Sequence, residues 1–325
     1  IEIERMNTLL TGLSKDPRAS LKGGLFHAEE AILNLDLVQS LKKPEGFFDP
    51  SNPLNERLSN EDKEDEEEKP LAERSRNSRS PMLSFSNTDM AFSGNVMVAG
   101  SYHGFNIYNL DNQGHAELVS SVICPGGQGD VSIVGNLLIM SVEQNRGRID
   151  CGLQGAGTEP NPERFRGIRI FDISDLKRPQ QVGAVQTCRG SHTHSVVSGP
   201  DENGIIIVYN SGTSSVRDQE ELESCFEAIP GDNRTALFRI DVIEIPVADP
   251  SQAKIVKSPT VFADPETGAL AGLWRGGDHG DDTQDTSRTD ECHDITVFPS
   301  KNLAAGACSG NGICLLYTSD AADDC

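Results

Sequence analysis

Four histidines are the side chains in this chain best suited to hold a transition metal. His192, His194 and His293 fall in two similar segments, SHTHSVV and ECHDITV, and His103 lies on a turn; neutral imidazole nitrogens suit zinc, copper or iron(II). Asp278, Asp281, Asp282 and Asp285, with Asp290 beyond them, offer the hard oxygens that calcium takes. Their spacing lacks the mid-loop glycine and closing glutamate of an EF-hand, so a solvated acidic loop competes with a calcium site there. Nucleophilic catalysis finds no G-x-S-x-G elbow, and the adjacency of Ser191 and His192 in sequence does not make a relay. Gly126, Gly127 and Gly129 lie between strand-like runs with no helix pattern after them, which argues against a phosphate-cradling loop.

What would bring such residues together is a repeat. It begins NTDMAFSGNVMVAGSYHGFNIYNL at Asn87, QGDVSIVGNLLIMSVE at Gln128, HTHSVVSGPDENGIIIVYNSG at His192 and CHDITVFPSKNLAAGACSGNGI at Cys292. Each copy reads as a short strand, a Gly or Asn turn, an apolar strand, and then a third strand, led by Gly in the first two copies and followed by a fourth. Four short antiparallel strands per unit predict an all-β fold, a β-propeller of four-stranded blades. About three and a half blades are present, which is too few to close a ring, so further blades are expected. A sandwich leaves the repetition unexplained, and a β-helix needs shorter coils.

The segment RGIRIFDISDLKRPQQVG, Arg166 to Gly183, carries a family likeness. It resembles the LVIVD repeat of bacterial secreted and cell-surface proteins, in which a Gly-Leu-Arg-Ile-x-Asp-Ile-Ser-x-Pro-x-x-Pro segment marks one propeller blade. The resemblance implies a propeller and an extracytoplasmic location. It covers residues 87 to 313 and, less specifically, 36 to 44.

The repeat sets a register for the polar residues. Asp89, Asp130, His194 and Asp294 align on the first strand, preceded by Thr88, Gly129, Thr193 and His293. Recurrence in every copy marks a structural role, a side chain that bonds neighbouring blades together. The alternative is a metal on the channel axis held by His192, His194 and His293, with His103 further out. Two long insertions, Gln144 to Phe165 and Thr213 to Thr235, both leave between the second and third strands of their blades. They should emerge on one face, where a rigid scaffold commonly binds its ligand.

The remaining organisation follows from composition. Residues 1–50 form an N-terminal segment in which 36–44 matches the outer strand around Leu118 to Pro125 and is expected to close the ring. Residues 51–80, with the run EDKEDEEEK, are too polar to fold and read as a disordered linker. Blades are expected at 87–125, 127–188, 190–264 and 290–313, within 81–313. From Cys314 the run CLLYTSDAADD resembles a translated sequencing adapter, so 314–325 is read as a non-native tail. That leaves Cys124, Cys151, Cys188, Cys225, Cys292 and Cys308, with no C-x-x-C pair. Disulfides are expected among them, in one of fifteen connectivities, with free buried thiols as the alternative. Cys292 and Cys308 could face each other across a hairpin, while Cys151 and Cys225 lie in the insertions.

The net charge of -22 argues against nucleic acid, and no run is long and apolar enough to suggest a membrane span. The expectation is a secreted, periplasmic or cell-surface propeller that binds a protein or carbohydrate. A metal-dependent oxidoreductase or hydrolase built on the channel histidines is the alternative, and the sequence names no cofactor beyond a transition metal or calcium.

Overall fold

A computed structural model describes residues 16–24, 27–48, 86–157, 160–227, 234–274, 276–277, 288–309 and 312–317. The chain divides into two units, Ile1–Lys42 with Asn112–His115, and Lys43–Asp111 with Ala116–Cys325. In the first, Asp16 accepts a hydrogen bond from the Arg18 backbone and opens a short 3-10 turn, Pro17–Ser20. The second holds every strand among the described residues.

Blade one is β1 (Asn87–Ser93), β2 (Val96–Ser101), β3 (Gly104–Leu110) and β4 (Ala116–Ile123). Blade two is β5 (Val131–Val134), β6 (Leu137–Val142), β7 (Gly167–Asp172) and β8 (Gln180–Gln186). Blade three is β9 (Thr193–Ser198), β10 (Ile205–Ser211), β11 (Asp241–Pro246) and β12 (Lys254–Lys257). A last, three-stranded sheet contains β13 (Cys292–Phe298), β14 (Leu303–Cys308) and β15 (Gly312–Tyr317). All ladders are antiparallel between sequence neighbours, and β1, β5, β9 and β13 lie side by side as the inner strands. This is an open β-propeller, since the described sheets do not close into a ring.

Strand alternation builds the interfaces between blades. On β6, Leu138 and Met140 join Val98, Phe105, Ile107 and Phe171 between blades one and two. Their neighbours Leu137 and Ile139 point the other way, to Ile206, Val208, Ile243 and Ile245 of blade three. A third cluster, with Val197, Tyr209, Phe238 and Ile295, joins blade three to the last sheet. At roughly 1.5–3 kcal/mol for each fully buried large aliphatic side chain, these layers outweigh any single polar contact, and the polar joints serve to set register.

The glycine that leads the third strand has a steric cause. Gly104 and Gly167 sit at φ +137° and +144°, and a Cβ on either would lie 2.0 Å from a carbonyl oxygen of the neighbouring outer strand. In blade three Asp241 takes this place, and its φ is not positive.

Two places differ from the reading of the sequence. Residues 36–44 carry no strand, and Leu37, Val38 and Leu41 are exposed. The likeness to β4 is one of composition, and a strand needs an edge to pair with. β15 runs on through Tyr317, into the stretch read as a tail, because Ile313 to Tyr317 is an apolar run placed beside the open edge of β14. The expected linker at 51–80 lies outside the described residues.

Candidate functional site

The insertions, residues 143–166 and 212–240, leave the ends of β6 and β10 and return at the starts of β7 and β11. Antiparallel pairing puts these points, and the starts of β5, β9 and β13, at the same end of the blades. The polar residues of interest gather there.

At the foot of the insertions stands a partly buried pair. Nδ1 of His192 donates to Oε2 of Glu143 at 2.9 Å, and Nε2 accepts from the Gln128 amide at 2.9 Å. The Thr213 hydroxyl donates to Oε1 of Glu143, so the carboxylate ties the first insertion to the second. Burial opposes the charge on Glu143, but the bonds from His192 and Thr213 outweigh it and hold the carboxyl below its ordinary range. Burial likewise opposes the charge on His192, and Glu143 more than offsets it, so the imidazole titrates above its ordinary value. The His293 ring lies tilted against His192, at 51° with centroids 4.2 Å apart.

One register deeper lie the recurrent residues. Asp89 of blade one accepts from the backbone N–H of Val131 in blade two at 3.1 Å, and Asp130 of blade two accepts from His194 N–H in blade three at 3.0 Å. Thr88 and Thr193 donate to the carbonyls of Gly129 and His293 on the following blade. Asp294 instead bonds its neighbour Ile295 N–H. His194 turns back toward blade two, with Nδ1 2.9 Å from Ser141 Oγ and 3.1 Å from Asp130 Oδ2. Its Nε2 is buried and has no hydrogen-bond partner among the described residues. Burial pushes His194 down to about 4. Burial, reinforced by Asp89 and Asp294, pushes Asp130 up to about 8, against the opposing hydrogen bond from His194 N–H.

The four histidines are therefore dispersed in role. His192 and His293 touch at the foot of the insertions, and His194 bonds inside the blade joint. His103 is buried edge-on against Phe47, 5.6 Å between centroids, and burial lowers it to about 4. Among the described residues no three His, Cys, Asp or Glu side chains are gathered to hold a metal ion. Asp278, Asp281, Asp282 and Asp285 lie outside the described residues. Asp290 is paired with Arg189 at 3.1 Å and Arg288 at 2.7 Å.

The cysteines form three disulfides: Cys124–Cys151, Cys188–Cys225 and Cys292–Cys308. The last crosses the β13–β14 hairpin at a paired position. The other two share one plan, in which the exit of a blade's outer strand is tied to the insertion of the next blade.

A buried ion triad that sequence reasoning missed joins the two insertions. Oε1 of Glu221 accepts from Arg164 and Oε2 from Arg217, each at 2.7 Å, and all three side chains are sealed from solvent. Oε1 also accepts from Asn161 N–H at 2.8 Å. Burial raises the carboxyl of Glu221, but the two guanidiniums outweigh it and hold it below the ordinary range. Beneath the first insertion, Arg169 on β7 lies 4.1 Å over the Phe165 ring and donates to the Arg148 carbonyl. The available signal was the density of arginines between 146 and 169 in a strongly acidic chain; nothing marked Glu221. At the other end of the blades, a shallow cleft of about 490 Å³ opens among Gly135, Asn136, Asp172, Ser174 and Pro200, with Asp172 its one titratable group.

No family model and no curated protein sequence matches the chain. Among solved structures it is similar to Sqt1 of Saccharomyces cerevisiae, at TM-score 0.31 and 10% identity over 71% of this chain and 60% of that one. It is also similar to the WD40 β-propeller domain of Doa1, at TM-score 0.30 and 10% identity over 72% and 66%. Sqt1 of Chaetomium thermophilum aligns at TM-score 0.30 and 13% identity over 73% and 57%. The chain spans less than two thirds of the length of each of these structures, and its own ladders carry the propeller assignment.

Proposed function

We propose that this chain is an extracytoplasmic propeller of the LVIVD-repeat kind that serves as a binding scaffold, with the face carrying the two insertions as its binding surface. The observation that carries the reading is the buried triad of Glu221, Arg164 and Arg217, which joins two long loops from different blades. Loops of this length left free would lose conformational entropy on meeting a partner. Here two disulfides and the triad have ordered them already, which is what a preformed binding face requires. Three disulfides also favour an oxidising compartment, and no helix among the described residues is long and apolar enough to cross a membrane. A protein partner fits a broad loop surface better than a small substrate does, because the Glu143–His192 pair at its foot is already bonded on both sides.

The test is site-specific photo-crosslinking with proteins shed or displayed by the source cells. A photoreactive residue at Leu153 or Glu223 should yield discrete adducts that one at Glu202, at the opposite end of the blades, does not. Equal adduct patterns from both ends would overturn the assignment of the face.

A further inference from the structure

The partner's chemistry can be read from how the insertions sort their charges. Their arginines point inward: Arg148 is 8% exposed at its side chain, and Arg164 and Arg217 are 1% exposed. Their carboxylates point outward, Asp150 at 57% and Glu163 at 60%, with Asp218, Glu220 and Glu223 also exposed. Arg234, the exposed arginine at the end of the second insertion, lies over the Phe226 ring. Arg148 is thus spent on Asp150 and Glu163, and Arg164 and Arg217 on the buried Glu221, which leaves Asp218, Glu220 and Glu223 as the acids facing solvent beside Arg234, the one exposed cation among the loops' described residues.

Within this acidic surface two large apolar side chains stand in solvent, Ile149 at 52% and Leu153 at 61% exposure. They flank Cys151, whose disulfide to Cys124 fixes the backbone between them. Ile149 N–H bonds the Glu163 carbonyl, and Glu163 precedes Arg164, the residue that bonds Glu221. The apolar pair and the exposed acids of both insertions therefore belong to one tethered assembly. An anchored loop cannot fold these side chains away, so both stay open to a partner.

We infer that the insertion face docks a protein segment in which apolar side chains alternate with lysine or arginine. The apolar groups would cover Ile149 and Leu153, and the cations would meet the rim of Asp218, Glu220 and Glu223. This rests on the reading of the insertion face as the binding surface and adds the chemistry of what binds. Opposite charge at the rim speeds encounter and selects the partner, while the apolar contact supplies most of the affinity.

The test measures binding of short fluorescent peptides, alternating Lys–Leu, Lys–Ser and Glu–Leu, to the disulfide-intact chain by anisotropy. The Lys–Leu peptide should bind and the other two should bind at least about tenfold more weakly. Leu153→Ser, at an exposed position, should weaken Lys–Leu binding about tenfold, and the pair Glu220→Gln with Glu223→Gln should weaken it about fivefold and flatten its salt dependence. The pair Asp175→Asn with Glu202→Gln, which removes as much charge at the opposite end of the blades, should change it less than about twofold. Equal loss from the two charge pairs would mean capture of a polycation by net charge alone and would overturn the inference. Equal binding of Lys–Ser and Lys–Leu would overturn it too, by removing the apolar pair. Should Lys–Leu fail to bind while crosslinks still form at Leu153, the partner chemistry falls and the binding face stands; loss of both removes the binding face itself.

Discussion

Oε1 of Glu221 in the second insertion accepts from Nε of Arg164 in the first at 2.7 Å, with both side chains closed to solvent. Removing one member of such a set leaves buried charge unmatched, and the cost is typically about 3–5 kcal/mol. Glu221→Ala is therefore expected to destabilise the chain by roughly that amount and to raise amide exchange across 145–163 and 214–225. Replacing all three members, Arg164→Met, Arg217→Met and Glu221→Leu, should recover most of the loss, because no charge is then stranded. Glu163→Gln, on the exposed side of Arg148, should leave the urea midpoint unchanged within error. A Glu221→Ala midpoint equal to wild type would show that the insertions are held by their disulfides alone.

The joint between blades two and three should make stability depend on pH in a defined window. Asp130 titrates at about 8 in the fold against 3.8 in a free chain, so the folded state carries the extra proton between those values and stability falls as pH rises through them. His194 titrates at about 4 against 6.5, so the unfolded state carries the extra proton and stability rises with pH between those values. The two effects oppose each other between about 4 and 6.5 and leave Asp130 alone from about 6.5 to 8. The joint's own contribution is expected to be nearly flat over the first interval and to decline over the second; the buried His103 adds a rise between about 4 and 6.5, and the raised His192 adds to the decline above 6.5. Asp130→Asn keeps an acceptor for His194 N–H but cannot titrate, and should remove most of the decline seen in denaturant midpoints. A variant with the wild-type slope would place the titrating group elsewhere.

The Glu143–His192 pair makes a spectroscopic prediction. Glu143 holds the proton on His192 against the effect of burial, so the imidazole resonance should titrate above the ordinary histidine value of 6.5. In Glu143→Gln only burial and the more distant Glu291 and Asp294 remain, and the midpoint should fall. A histidine raised in this way stabilises the fold below the unfolded value and loses that contribution as pH rises through the folded one. If the His192 titration is unmoved in Glu143→Gln, the more distant acids hold the proton.

The parts of this fold that were legible in the sequence are those set by local rules. Alternating apolar residues mark each strand, Gly104 and Gly167 mark the start of a third strand, and the aligned Asp89 and Asp130 mark the inner register where they do bond the next blade. What was not legible depends on long-range partners. His194 occupies the aspartate position but turns toward Ser141 and Asp130, which no spacing could foretell. Glu221 resembles its exposed neighbours Glu220 and Glu223 in sequence, and only the approach of Arg164 from another blade distinguishes it. Residues 36–44 fail in the opposite sense, since their pattern suits a strand but an edge to pair with is not a local property.

The two insertion disulfides close loops whose cysteines are 27 and 37 residues apart. In the chain-entropy view each restricts the unfolded state by about 3–4 kcal/mol, while the blades are held by apolar layers the cysteines hardly enter. Replacing Cys124 and Cys151 together by serine, or Cys188 and Cys225 together, should therefore lower the thermal midpoint and leave the far-ultraviolet dichroism of the strands intact. The two pairs should differ in their local effect. Cys188 and Cys225 pack with buried Ala236, so their loss opens a small core beneath the second insertion. Cys151 is flanked by exposed residues, and its loss should mainly free Ile149 and Leu153. Amide exchange resolves the two cases: protection should fall around 214–240 when Cys188 and Cys225 are replaced, and the loss should be confined to 145–157 when Cys124 and Cys151 are replaced. Loss of strand dichroism in either variant would mean that the propeller depends on its insertions, and that the blades and loops fold as one cooperative unit.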